Sequence, residues 1–231
     1  MLNEQTRKGL KSLTGVGNAA IVRYPWTSVL QKDKSLIAFI NLEEYGEEEF
    51  PDFGLDNMSE FLSLIDFFKD PEIDIDTDGV VSIEADKWHQ KYATSDLDTM
   101  KSFDVKVNTL DKISQAPEAL SFEITQDEFV KIKKIAALTK ATSFIVSSQE
   151  KLIVGKLDRN NNISSETEID YPISVKNDVS IVYSMAHISK LPDRDYSVTI
   201  KVSEATGNGI SIWEVADEPI KIVVGVVDVW R

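Results

Sequence analysis

Two histidines, a run of three spaced aspartates and two clusters of basic residues are the side chains whose types and spacing could do chemistry in this 231-residue sequence. His89 and His187 are the only imidazoles, and neither has a partner at metal-ligand spacing. No HExxH, GxSxG or Walker-type pattern occurs, and Gly15-Val16-Gly17 follows a helical pattern where a phosphate cradle would precede one. Asp74-x-Asp76-x-Asp78-Gly79 opens like a calcium loop, with ligands at the first, third and fifth positions and glycine at the sixth. The twelfth position should carry a bidentate glutamate, but it is Ala85, with Glu84 one residue short. Ile73, Ile75, Val81 and Ile83 alternate as in strands, so a solvated hairpin is the expected structure there. A metal-dependent enzyme built on Asp74, Asp76 and Asp78 is the alternative that the missing ligand argues against. The sequence thus offers no catalytic residue, no metal set and no cofactor motif.

The basic clusters are Arg7, Lys8 and Lys11, and Lys131, Lys133, Lys134 and Lys140. Such groups attract phosphate regardless of base sequence. Either cluster alone would also suit an ordinary solvated helix face. They stand against 25 basic and 39 acidic residues in all, a net charge of −14, which excludes a protein that grips nucleic acid over its whole surface. The acid sits in Glu43-Glu44, Glu47-Glu48-Glu49 and Asp70–Asp78. Trp26, Trp88, Trp213 and Trp230 are scattered without interleaved cations, so no stacking platform for single strands is expected, and burial is the reading for most of them. With 42% hydrophobic and 28% charged residues the chain can bury a core. It has no cysteine, which removes disulfides and thiolate sites. The N-terminal residues do not read as a signal peptide. No apolar run approaches the roughly 18 residues of a membrane span.

The elements that must carry these residues read as follows. Leu2, Thr6, Leu10 and Leu13 form one stripe of a helix over Asn3–Leu13, with Arg7, Lys8 and Lys11 on another. Strands follow at Ala19–Tyr24, Ser28–Lys32 and Ser35–Leu42. Asn57 and Glu60 form a capping box for a second helix with Phe61, Leu62, Leu64, Ile65 and Phe68 on its apolar face. A hairpin spans Glu72–Ile83 around Thr77-Asp78-Gly79, and strands are expected at Gln90–Ser95 and Lys101–Asn108. Residues 109–119 hold no sustained period and contain Pro117, so they read as a connector between residues 1–108 and 120–231. Thr125 and Glu128 cap a third long helix reaching Ala141, with Phe129, Ile132, Ile135, Ala136 and Thr139 inward. Strands at Ser143–Ser147, Lys151–Leu157 and Glu166–Ser174 come next, with a polar turn at Asp158–Asn162. A short helix from Ser184 carries Met185, Ile188 and Leu191. Strands at Tyr196–Val202, Ile210–Val215 and Lys221–Val229 complete the chain.

Both halves therefore run helix, strands, helix, strands. Met58 and Met185 are 127 residues apart, and Leu10 with Ile135 and Leu13 with Leu138 are 125 apart. The alternative is chance likeness between two α+β halves.

On these residues the sequence resembles the two-domain DNA sliding clamps, a family that includes proliferating cell nuclear antigen. The nearest likeness is to the polymerase processivity clamp of T-even-like bacteriophages. It is carried by Asp56–Leu64 running into Pro71-Glu72-Ile73 and Gly79, by Phe122-Glu123-Ile124, the Asp127–Leu138 helix, Ser184–Ile188 and Leu191–Tyr196. The resemblance implies an α+β clamp fold: two tandem similar domains, each with two helices packed on antiparallel sheets, assembling as three chains into a ring. The helices would line a central hole. Arg7, Lys8, Lys11, Lys131, Lys133, Lys134, Lys140 and Lys190 would then face duplex DNA, held by topology and not by base contacts. The helix after Asn57 carries Glu60 and Asp66 against Lys69, so it adds no net attraction. The resemblance further implies a partner pocket from Leu30, Leu110, Ile113 and Val226, a replicative DNA polymerase and an ATP-using clamp loader as partners, no membrane, and action in the cytoplasm of an infected bacterial host. Edge strands at Phe103–Val107 and Glu168–Ser174 would join the subunits. The competing reading is an acidic β-rich phage structural or DNA-mimic protein whose charge is its working surface.

Overall fold

The computed structural model describes residues 2–76, 79–157, 163–203 and 206–230. The chain divides into two compact units, Met1–Val107 with Glu218–Lys221, and Asn108–Asp217 with Ile222–Arg231.

The first unit opens with helix α1 (Glu4–Ser12). Asn3 caps it by accepting the Thr6 N–H on its side-chain oxygen at 2.9 Å. Leu2, Thr6, Leu10 and Leu13 are all buried, as the i, i+3, i+4 spacing requires. Strands β1 (Ala20–Val22), β2 (Trp26–Leu30), β3 (Leu36–Asn41) and β4 (Phe53–Leu55) form an antiparallel sheet in the order β3-β2-β1-β4. Helix α2 (Met58–Phe67) buries Met58, Phe61, Leu62 and Ile65 and leaves Phe67 exposed. Its cap departs from the expected box. Asn57 accepts the Glu60 N–H, but the Glu60 carboxylate receives the Asn57 side-chain amide instead of its backbone N–H. Strands β5 (Glu72–Ile75), β6 (Val80–Ala85) and β7 (Trp88–Ala93) make a second sheet in that order. Thr77 and Asp78 lie outside the described residues.

The expected strand over Lys101–Asn108 is not formed. Lys101–Phe103 is a 3-10 turn. The chain beyond it is held by side chains and not by a ladder. The Val105 N–H donates to Ser28 Oγ at 3.3 Å, and Arg23 bridges Asp52 and Asp104 at 2.5 and 3.0 Å.

The second unit starts with helix α3 (Asn108–Ser114), so the stretch expected to be irregular is helical at first. Strand β8 (Glu118–Ile124) leads to helix α4 (Gln126–Thr139), whose Thr125–Glu128 capping box is complete. Strands β9 (Ser143–Ser147), β10 (Lys151–Leu157), β11 (Ile163–Asp170), β12 (Ser174–Val175) and β13 (Ser180–Ser184) precede helix α5 (Met185–Ile188). Strands β14 (Tyr196–Val202), β15 (Gly209–Val215), β16 (Ile220–Gly225) and β17 (Asp228–Trp230) follow. Asp158–Asn162 lie outside the described residues. The run Glu166–Ser174 splits at Pro172, which has no N–H for a ladder. The run Lys221–Val229 splits where the Val227 N–H leaves for the Val182 carbonyl at 2.8 Å.

This unit's sheets run β11-β10-β9-β13-β17 and β12-β8-β14-β15-β16. Trp213 is fully buried within van der Waals reach of Phe122, Phe129, Phe144, Tyr183 and Tyr196, with ring centroids 5.5–6.5 Å away. It is the only buried tryptophan; Trp88 is exposed and Trp26 and Trp230 are half-buried.

The duplication is visible in topology. The order β3-β2-β1-β4 that follows α1 is matched after α4 by β11-β10-β9-β13, the two-residue β12 pairing with β8 instead. The Met58 N–H donates to the Asn18 carbonyl at 2.7 Å, and the Met185 N–H to the Thr142 carbonyl at 2.9 Å. The pairing of Leu13 with Leu138 fails, since Leu13 is buried and Leu138 is 85% exposed. The C-caps Leu13 and Lys140 correspond instead, at the same 127-residue offset as the two methionines, because α4 is five residues longer than α1 (14 against 9).

Candidate nucleic-acid interface

Helix α1 presents three cations of different character. Lys8 pairs with Glu4 one turn back at 2.6 Å, both well exposed, a contact of little energetic weight. Lys11 reaches Asp66 on α2 at 2.5 Å. Arg7 is half-buried; its Nε is fully shielded and has no hydrogen-bond partner. It lines an open cavity together with the acidic loop at residues 46–51 and with β5. Only part of the charge on α1 is therefore free for a phosphate.

Helix α4 is set in place by the turn after α5. Asp195 accepts the Gln126 N–H at 2.5 Å, at the positive end of the helix. Lys133 has only 17% of its side chain exposed, pairs with Asp193 at 2.7 Å, donates to the Leu191 carbonyl and lies over the Phe129 ring at 4.6 Å. Lys133 thus braces the helix and offers no free charge. Lys131 and Lys134 are exposed and form no ion pair among the described residues. With Asp127 and Leu138 they make one outward stripe at helical spacing. Lys140 is exposed at the left-handed C-cap, and Lys190 is exposed just after α5.

The cap of α4 is reinforced from outside. The Glu128 carboxylate receives the Thr125 hydroxyl at 2.7 Å and the Tyr171 hydroxyl at 2.8 Å, which holds its pKa below the ordinary 4.5. Burial, and then the carboxylate itself, push the Tyr171 phenol up.

The four residues expected to form a partner pocket are placed as follows. Leu30 ends β2 and is buried in the first unit. Leu110 is buried and Ile113 half-buried one turn apart on α3, and Val226 is half-buried after β16, all in the second unit. His89 is exposed beside Glu84 at 3.4 Å. Among the described residues no group of three His, Asp or Glu side chains is arranged to hold a metal ion. Asp78, the fifth-position residue of the calcium-like run, lies outside them. Among the described residues no helix is long and apolar enough to cross a membrane.

Neither Lys133's partner, 60 residues away, nor the acid-lined cavity at Arg7 leaves a local mark that sequence reasoning could find. The strict alternation of Glu72–Ile75 is the one local signal that marks the edge of that cavity.

No protein-family model and no curated protein matches the chain. Solved structures do. Proliferating cellular nuclear antigen from Entamoeba histolytica superposes with a TM-score of 0.64 at 12% identity, over 96% of this chain and 94% of that one. The counterpart from Thermococcus kodakaraensis gives 0.63 at 12% identity, over 95% of each chain. The fold is therefore the α+β DNA-clamp fold, with few helices and large antiparallel sheets.

Proposed function

We propose that this chain is a sliding clamp. Three copies close into a ring around duplex DNA, a clamp loader opens it using ATP, and a replicative DNA polymerase is tethered to it for processive synthesis. The observation that carries this reading is a clamp fold matched over nearly the whole chain, combined with a tandem repeat whose exposed lysines sit on helices or just past their C-terminal ends. Lys8, Lys131, Lys134, Lys140 and Lys190 supply mobile, sequence-independent attraction to phosphate. Three chains at −14 each repel DNA from every other surface. Lys11, and above all Lys133, contribute through their ion pairs to helix placement. Strand β11, at the edge of its sheet, is the candidate for pairing between subunits. Leu30, Leu110, Ile113 and Val226 are the residues proposed for the polymerase peptide. No chemistry is assigned to the chain. A T-even-like phage source and action in the cytoplasm of its bacterial host belong to the same proposal, on the residue resemblance alone.

The test is primer extension on circular template with polymerase, loader and this protein. Longer products with it support the reading, and unchanged product length overturns it. Sedimentation equilibrium should give three times 25.9 kDa. A monomer at working concentration with an acidic surface that competes with DNA for basic proteins would favour the DNA-mimic reading.

A further inference from the structure

Among the described residues, a strand edge that is open in the first unit has a covered counterpart in the second. Strand β8 lies antiparallel along β14, from Tyr196↔Ile124 to Ile200↔Leu120, and passes through Thr125 directly into α4. Strand β5 stands in the first unit where β14 stands in the second: β5 follows α2 and opens a hairpin with β6, as β14 follows α5 and opens a hairpin with β15. Among the described residues, no strand pairs with the other edge of β5. Beside it lies an open cavity of about 1060 Å³, bounded by residues 71–75, residues 46–51, Leu2 and Arg7. Binding clefts run to roughly 300–1,000 Å³.

The lining specifies what would fit. Ile73 and Ile75 are buried, while Glu72 and Asp74 face solvent on the opposite side of the strand. Glu47 is already engaged by the Leu2 and Asn3 N–H groups. Glu48, Glu49, Glu72 and Asp74 remain against a single guanidinium, Arg7.

We propose that the outer edge of β5 is a docking site for an extended segment of a partner protein, which adds to the sheet as a fourth strand. Its residues alternate, with Lys or Arg beside Glu72 and Asp74 and apolar side chains beside Ile73 and Ile75. The site lies within the first unit and does not depend on the clamp reading.

The probe is a nine-residue peptide of alternating Lys and Val, titrated at low salt into full-length protein labelled at isoleucine methyls. Saturable shifts at Ile73 and Ile75 are expected, with affinity about tenfold weaker in the E72K/D74K variant. The E48K/E49K variant, altered on the opposite wall, should weaken binding as well. The same peptide N-methylated at alternate backbone nitrogens should not bind. Equal binding of the N-methylated peptide would reduce the contact to charge adsorption and overturn strand addition. Shifts confined to other isoleucines, or none, would overturn it too. Concentration-dependent shifts at Ile73 without peptide, abolished by E72K/D74K, would identify a second copy of this chain as the occupant and overturn a partner segment.

Discussion

Lys133 Nζ lies 2.7 Å from Asp193 Oδ1, and this pair joins α4 to the turn that follows α5. A lysine that reads on paper as one of four equivalent cations is structural, and its neighbours are not.

Replacing Lys133 by Ala should therefore act on stability. Loss of the pair and of the hydrogen bond to Leu191 should cost about 1–2 kcal/mol, since the lysine is largely covered while Asp193 is half-exposed. Urea midpoints of Lys133→Ala, Asp193→Ala and the double variant check this. Additive single effects would show that the two groups are not coupled.

Charge reversal at Lys131 and Lys134 should behave in the opposite way. The urea midpoint should stay within about 0.5 kcal/mol of the parent, as expected for exposed sites. Polymerase stimulation should fall, and its dependence on salt should become shallower. An unchanged salt dependence would place these residues away from DNA.

Trp213→Ala should remove about 3–5 kcal/mol, because five aromatic rings lose their common neighbour and a cavity remains. Trp213→Phe should cost clearly less. Equal losses would mean that the indole N–H to Ser211 Oγ, at 2.9 Å, matters more than the packing.

Glu128 gives the pH dependence of the second unit. Its folded pKa is below the unfolded value, through the hydrogen bonds from Thr125 and Tyr171. Its contribution is complete above the unfolded value near 4.5 and is lost as pH falls through the lower, folded value. Urea midpoints measured from pH 7 down to pH 3 should fall less steeply in Glu128→Gln and in Tyr171→Phe than in the parent. Parallel curves would remove Glu128 from the acid response.

Much of the fold was legible because it is written locally. The stripe Leu2, Thr6, Leu10 and Leu13, the Thr125–Glu128 box and the alternation at Glu72–Ile75 each depend on neighbours within one turn or one strand. What failed depended on distant partners. Phe103, Val105 and Val107 alternate like a strand, but Ser28 and Arg23, more than 70 residues earlier, claim the segment by side-chain contacts. Residues 108–114 form a helix that buries only Leu110, too little apolar surface to leave a period in the sequence. The basic clusters were legible as charge. Which of those charges were already neutralised was not, because Asp66 and Asp193 lie 55 and 60 residues from their lysines.

The paired hydrogen bonds of Met58 to Asn18 and Met185 to Thr142 join main-chain atoms alone. Any amino acid except proline can donate such a bond, so selection on the shape of each copy leaves the identity of the residue almost unconstrained. Two copies of one pattern can then differ at most positions and keep one geometry, and so can whole chains: the Entamoeba protein shares this fold at 12% identity.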